Sequence, residues 1–171
     1  MKPLEAPDSH HLIAAQGWLE LGNCAEANQE LDKLSPAAGL HPDALEVRWQ
    51  VCAKTSQWQE CADIGLALMK AAPNRADGWI HRSYALHELK RTKEAYANLA
   101  AVAEKFSSLW AIPYNLCCYC SQLSQFDEAR SWLKRAALLN SEAVQKAALN
   151  DPDLKPLWNS ISTTIGKKTS S

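Results

Sequence analysis

Cys117, Cys118 and Cys120 form the densest group of reactive side chains in this sequence. Three thiols so close together raise the question of a metal site. On a helix, Cys117 and Cys120 share a face because they are three apart, while Cys118 points elsewhere. A structural zinc takes paired ligands from two segments, usually on loops or turns. The other thiols, Cys24, Cys52 and Cys61, lie far back along the chain. The group therefore reads as small buried core side chains rather than as ligands. The six cysteines are even in number, but their helical spacings point to free thiols in a reducing compartment.

The histidines give little more. His10 and His11 diverge if helical and sit near a terminus, where such pairs are commonly solvated. His81 and His87 share a segment with Asp77, Tyr84 and Glu88, and the four-residue steps Asp77–His81 and Tyr84–Glu88 predict local side-chain pairs. No nucleophile stands beside a base, and no glycine-rich loop follows a strand. No catalytic residue, metal or cofactor is expected, and an enzyme or metal-binding protein ranks third among the functional readings. The chain has seven tryptophans. Trp18, Trp79 and Trp132 fall on faces shared with apolar columns, which predicts packing roles. Trp58 and Trp110 lie near turns, where one of them could anchor a partner.

A repeat must position these groups. Glu26-Ala27, Glu60-Cys61, Glu94-Ala95 and Glu128-Ala129 recur every 34 residues. Leu21, Thr55, Leu89 and Leu123 keep that step ahead of the small residues, and Leu34, Leu68, Val102 and Ala136 keep it behind them. A fixed period of this length marks stacked supersecondary units, none of which can bury its apolar face alone. Each unit splits into two amphipathic helices, as with Trp79, Ser83 and Leu86, then Ala95, Leu99 and Val102. Ser35-Pro36, His41-Pro42, Pro73-Asn74 and Ser107-Ser108 divide the units. Asp8-Ser9 is expected to cap the first helix and Pro42 to open another, while Pro113 delays the start of its helix to about Trp110–Ile112.

This arrangement resembles the tetratricopeptide repeat (TPR), a 34-residue helix–turn–helix. The resemblance rests on Trp79, on Leu21-Gly22, and on small residues Ala15, Ser83 and Cys117 where helices cross. Ala27, Ala95 and Ala129 fill a second close-approach column, and Pro73 closes a unit. The segments Ile112–Tyr119 and Asp151–Trp158 are similar to the last repeat and following cap of many bacterial TPR proteins. The resemblance implies an all-α fold, a right-handed superhelix of four TPR-type hairpins at about 8–41, 42–75, 76–109 and 110–143. A capping segment, 144–165, would follow, all within one domain spanning 1–165, with a polar tail at 166–171. Leu154, Leu157, Trp158 and Ile161 are expected to cover the last apolar face. Trp49 breaks the small-residue column and Gly65 breaks a large apolar one. Either the indole fills the space left by Gly65, or the unit is locally irregular.

Composition narrows the partner. The chain is 47% hydrophobic and 22% charged, with a formal charge of -1. That balance lacks the clustered basic surface that nucleic-acid binding needs, since Lys167-Lys168 sits alone in a polar tail. The opening residues lack the apolar run of a signal peptide, and no apolar stretch long enough to span a bilayer follows. A cytoplasmic protein without membrane insertion is expected, although a mature fragment of a longer precursor would read the same way.

By the same resemblance, first helices line a concave groove. That face would carry Leu12, Gln16, Leu19, Asp43, Glu46, Gln50, Asp77, Ile80, Tyr84, His87, Tyr114, Cys118 and Ser121. The chaperone-tail-binding subclass clamps a terminal carboxylate with Lys, Asn and Arg. The corresponding positions here, Leu12, Gln16, Val47, Asp77 and His81, carry neither Lys nor Arg. Asp43, Glu46 and Asp77 would repel an anion, so a segment with apolar anchors and positive charge suits this face better. Ordinary solvated positions with structural tyrosines are the other reading. The expected function is a non-catalytic scaffold or adaptor with a protein or peptide partner in the groove. The alternative is a dedicated chaperone for a secreted or membrane-inserting partner. The sequence does not fix the oligomeric state.

Overall fold

The computed structural model describes residues 2–159 and 161. The polar tail and residues 162–165 of the expected cap lie outside the described residues. Of the described residues 74% are helical, and no strand occurs among them. The helices are α1 (Asp8–Glu20), α2 (Cys24–Asp32), α3 (Pro36–Gly39), α4 (Pro42–Lys54) and α5 (Trp58–Ala71). They continue with α6 (Asp77–Glu88), α7 (Thr92–Ala100), α8 (Ala111–Gln122) and α9 (Phe126–Ala148), then a 3₁₀ helix at Pro152–Leu157. No described helix is long and apolar enough to cross a membrane.

The 34-residue step is written in the backbone. The helices α2, α5, α7 and α9 begin at Cys24, Trp58, Thr92 and Phe126, one period apart. Before each lies a residue in the left-handed region: Gly22 at φ 80, Ser56 at φ 56, Lys90 at φ 62 and Ser124 at φ 61. The amides of Asn23, Gln57 and Gln125 donate back to the carbonyls of Trp18, Cys52 and Cys120 at 2.8, 2.9 and 2.8 Å. These bonds satisfy carbonyls that a helix end leaves open, the Schellman pattern. Leu21, Thr55, Leu89 and Leu123 are therefore C-cap residues. Leu21 and Thr55 are exposed, and Leu89 and Leu123 half-buried, at these turn positions.

The chain forms two compact units, Met1–Leu89 and Lys90–Ser171. In the first, Leu12, Ala15, Leu19, Ala27, Leu31, Ala44, Val47 and Val51 make one apolar cluster. Asp8 does not cap α1, whose side-chain cap is absent. Its carboxylate instead accepts from the amide and hydroxyl of Ser35, both at 2.7 Å. In the second unit, Leu99, Ile112, Leu116, Cys117, Cys120 and Leu133 are fully buried or nearly so. Pro113 lies in the first turn of α8, where its missing N–H is tolerated. Asn140 has non-helical φ −156 and ψ 87, and its side chain caps the amide of Ala143 at 3.0 Å. The helix from Ser141 onward is thus a new segment.

Trp49 does not fill the space at Gly65. A Cβ on Gly65 would stand 2.8 Å from the Cα, Cβ and N of Arg82, so the backbone of α6 occupies that space. Gly78 returns the arrangement: its Cβ would meet Met69 N at 2.7 Å on α5. Two glycines on opposing helices thus bring the α5 and α6 backbones together. By contrast, Gly17 on α1 has nothing within 4 Å of its Cβ position. Gly65→Ala is expected to lower stability by about 1–3 kcal/mol, because backbone must move to admit the methyl group. Gly17→Ala should raise it by up to about 1 kcal/mol through helix propensity. Urea unfolding of both variants checks this, and equal shifts in the same direction would refute the close-approach argument.

Candidate functional site

In the first unit, α1, α4 and α6 place Gln16, Gln50 and Tyr84 at one repeat position, and all three are exposed. Beside them lies a depression of about 360 Å³ lined by Gln16, Leu19, Glu20, Glu46, Val47, Gln50 and Lys54. Its floor is Leu19 and Val47, and its rim is amide and charge. Lys54 is held across it by donating to the Leu19 carbonyl at 3.0 Å.

Glu46 is the most constrained acid on this face. His81 Nε2 lies 2.9 and 2.8 Å from its two carboxylate oxygens, and Gln50 donates to it at 3.1 Å. Burial pushes the Glu46 carboxyl up, but the His81 hydrogen bond and charge outweigh this and hold it below its ordinary value. The Asp77–His81 pair expected from spacing does not form: His81 reaches back one repeat, and Asp77 pairs with Arg75 at 2.8 Å. Arg75 also bonds Asp43 at 3.1 Å, so one guanidinium bridges two of the acids expected to repel anions.

His81 stacks on Trp49 with ring centroids 3.8 Å apart and planes 10° from parallel. Tyr84 meets Trp49 edge-on at 6.4 Å and Trp58 edge-on at 5.7 Å. Tyr84 remains 42% exposed at the end of this aromatic group. Trp49 thus uses its size to carry a surface cluster from within a column of small residues. Its spacing already marked it as anomalous. Arg75 gave a weaker signal: one period before it stands His41, two residues from Asp43.

Other expected site residues are placed differently. Ile80 is half-buried, and His87 is only 7% exposed, so His87 belongs to the packed side of α6. Leu12 is in the core. Trp18 is 37% exposed despite its expected packing role. Tyr114, in the second unit, is 7% exposed, and its hydroxyl donates to Asp151 Oδ2 at 2.6 Å. Cys118 and Ser121 are buried by the same segment. These three residues present no open surface. Trp158 is 43% exposed and Ile161 half-buried, so Leu154 and Leu157 are the fully buried part of the expected cover.

Burial pushes the Cys52 thiol up to about 11 and those of Cys61, Cys117 and Cys120 up to about 12. Such thiols stay protonated at neutral pH and are poor nucleophiles and poor ligands. No cluster of three or more His, Cys, Asp or Glu suited to a metal occurs among the described residues. The face offers apolar area, amides and paired charges.

Solved structures with the same fold include MamA residues 41 to the end from Desulfovibrio magneticus RS-1. It is 18% identical over 82% of this chain and 79% of that one, with a TM-score of 0.71. An RS-1 MamA double mutant gives the same values. MamA MSR-1 is 16% identical over 94% of both chains, with a TM-score of 0.65. At these identities the likeness shows the fold, an α-helical repeat of TPR type. No protein-family model matches the sequence, and neither does any curated protein.

The lowered carboxyl of Glu46 has a pH consequence. A group whose pKa falls on folding adds stability above its unfolded value, here about 4.5, and loses it as pH drops through the folded value. The difference in melting temperature between the parent protein and Glu46→Gln should be present at pH 6 and shrink on acidification below about 4.5. Other carboxylates, such as Asp8 and Glu104, cancel in this comparison. A difference that is flat through that range would contradict the Glu46–His81 pairing.

Proposed function

We propose that this chain is a non-catalytic protein-interaction scaffold whose first unit binds a peptide or helix across α1, α4 and α6. The observation that carries the reading is the row of exposed Gln16, Gln50 and Tyr84, recurring at one repeat position beside the Trp49–His81–Glu46 group. A row at fixed spacing on rigid helices suits a partner that is itself regular, engaging one side chain per repeat. Amides can bond an extended backbone, and the exposed ring of Tyr84 can desolvate an apolar anchor.

The charge on this face is partly spent internally. Arg75 bridges Asp43 and Asp77, and His81 engages Glu46. Recognition therefore leans on Tyr84, Ile80 and the glutamines, with Glu20 favouring a basic side chain at the rim of the depression. The TPR-type fold of the solved neighbours supports the scaffold reading at the level of architecture.

Photo-crosslinking from position 50 or 84, against position 63 on the outward side of α5, tests the face directly. The captured partner should then bind Tyr84→Ala about 1–3 kcal/mol more weakly, the range of an interface hot spot. Far-ultraviolet circular dichroism should be unchanged, because Tyr84 is exposed. Adducts formed only from position 63, with full affinity retained by Tyr84→Ala, would overturn the proposal.

A further inference from the structure

In the first unit, α1, α4 and α6 stand in one repeat register. One face of α4 and of α6 meets the second helix of the hairpin before it. Arg48 donates to the Leu31 carbonyl on α2 at 3.1 Å, and Arg82 to the Ala62 carbonyl on α5 at 3.0 Å. A Cβ on Gly78 would meet Met69 N on α5 at 2.7 Å. Ala44, Val51 and Ala85 are buried on the same face, with Cys52 and Leu86 buried at its edge. The α1 residues in this register are His10, Ala14, Gly17 and, at the edge, Trp18. On α1 the face is open. Nothing stands within 4 Å of a Cβ on Gly17, and Ile13, Trp18 and Leu21 are 65%, 37% and 77% exposed. Residues before α1 leave it so: Leu4 packs on the core cluster, and the Lys2 carbonyl accepts from His41 Nε2 at 3.1 Å.

We propose that this outer face of α1 pairs two copies of the chain, α1 against α1, about a two-fold axis. A repeat array that ends in water carries a polar outer face. Here Leu12, Ala15 and Leu19 face the core, while Ala14, Gly17 and Leu21 lie on the opposite side of the same helix. A helix apolar on both sides is covered on both sides. Two features select a second copy as the cover. The helices that cover this face on α4 and α6 run antiparallel to them, and a two-fold axis perpendicular to α1 supplies an antiparallel helix. The face also fits itself. An axis level with Ala15 and Gln16 sets Trp18 of each copy against Ala14 of the other, Ile13 against Gly17, and Leu21 against His10, so large meets small. His10 is the one ionisable side chain in this stripe of α1, and the axis keeps the two copies of it about 16 Å apart along the helix. No like charges are opposed. A contact one helix long lies near the lower bound for a specific pair, about 1,000 Å² in total, so the dimer is reversible.

Gln50 and Tyr84 lie off this face, so the pairing stands or falls separately from the partner-binding reading. Sedimentation equilibrium of the full chain from about 1 μM to about 1 mM tests it. The parent should pass reversibly from monomer to dimer. Gly17→Glu and, separately, Leu21→Glu should raise the dimer dissociation constant at least roughly ten-fold, because each buries a charge at the centre or end of the contact. Both should keep parental circular dichroism, since both positions are open in a single copy. Ala97→Glu, at an exposed site on α7, should leave the constant unchanged. A photo-crosslinker at position 13, in a mixture of isotope-labelled and unlabelled chains, should give mixed adducts within α1. This second readout uses no charge substitution and decides the matter if a Glu variant fails to fold. A parent that stays monomeric throughout, assembles beyond a dimer, keeps its dimer in both folded Glu variants, or crosslinks between copies only outside α1 overturns the proposal.

Discussion

The closest constraint in this molecule is the contact of helices through side chains of one or two heavy atoms. Ala27, Cys61, Ala95 and Ala129 are all fully buried. A larger group at any of them would force the helices apart, since packed cores have no slack to absorb added volume. Short turns with a left-handed residue at Gly22, Ser56 and Ser124 set the return angle of the hairpins within each unit. Within the first unit, spacing and angle together give the position of Gln16, Gln50 and Tyr84 the same exposed setting in each repeat. The row of Gln16, Gln50 and Tyr84 is a product of that constraint.

The period was legible because burial imposes it directly on composition. The small residues and the large column at Leu31, Leu99 and Leu133 can be read from spacing alone. The turns were not legible in this way. Their demand is a backbone angle, and only Gly22 announces it, whereas Ser56, Lys90 and Ser124 carry it at some cost in Cβ crowding. Leu21 shows that a C-cap residue repeats as faithfully as a core residue does. At Gly65 the sequence marked an anomaly without its cause. A missing side chain suggests a vacancy to be filled by another side chain, yet here it admits backbone.

The candidate site was less legible than the fold. Spacing places acids on a face, but it does not say which cations reach them. Asp43, Glu46 and Asp77 looked like a negative field until Arg75 and His81 were in position. Paired and partly exposed ions contribute little net stability, so their effect on this face is mainly to fix side chains in place. Trp49, His81 and Glu46 form an ordered surface in which each group limits the freedom of the next. An ordered surface has less side-chain freedom left to lose.

The end of the array follows from the same reasoning. An internal repeat has its first-helix face bordered by neighbours, but a repeating fold must also stop, and a stop needs a covering element. Here the cover meets α8 through hydrogen bonds from Tyr114, Cys118, Ser121 and Gln122, alongside Leu154 and Leu157. A purely protective cover would need only the leucines. Polar groups aimed at a carboxylate and a carbonyl add direction to the contact, because hydrogen bonds weaken steeply when misaligned. They fix one segment in one register.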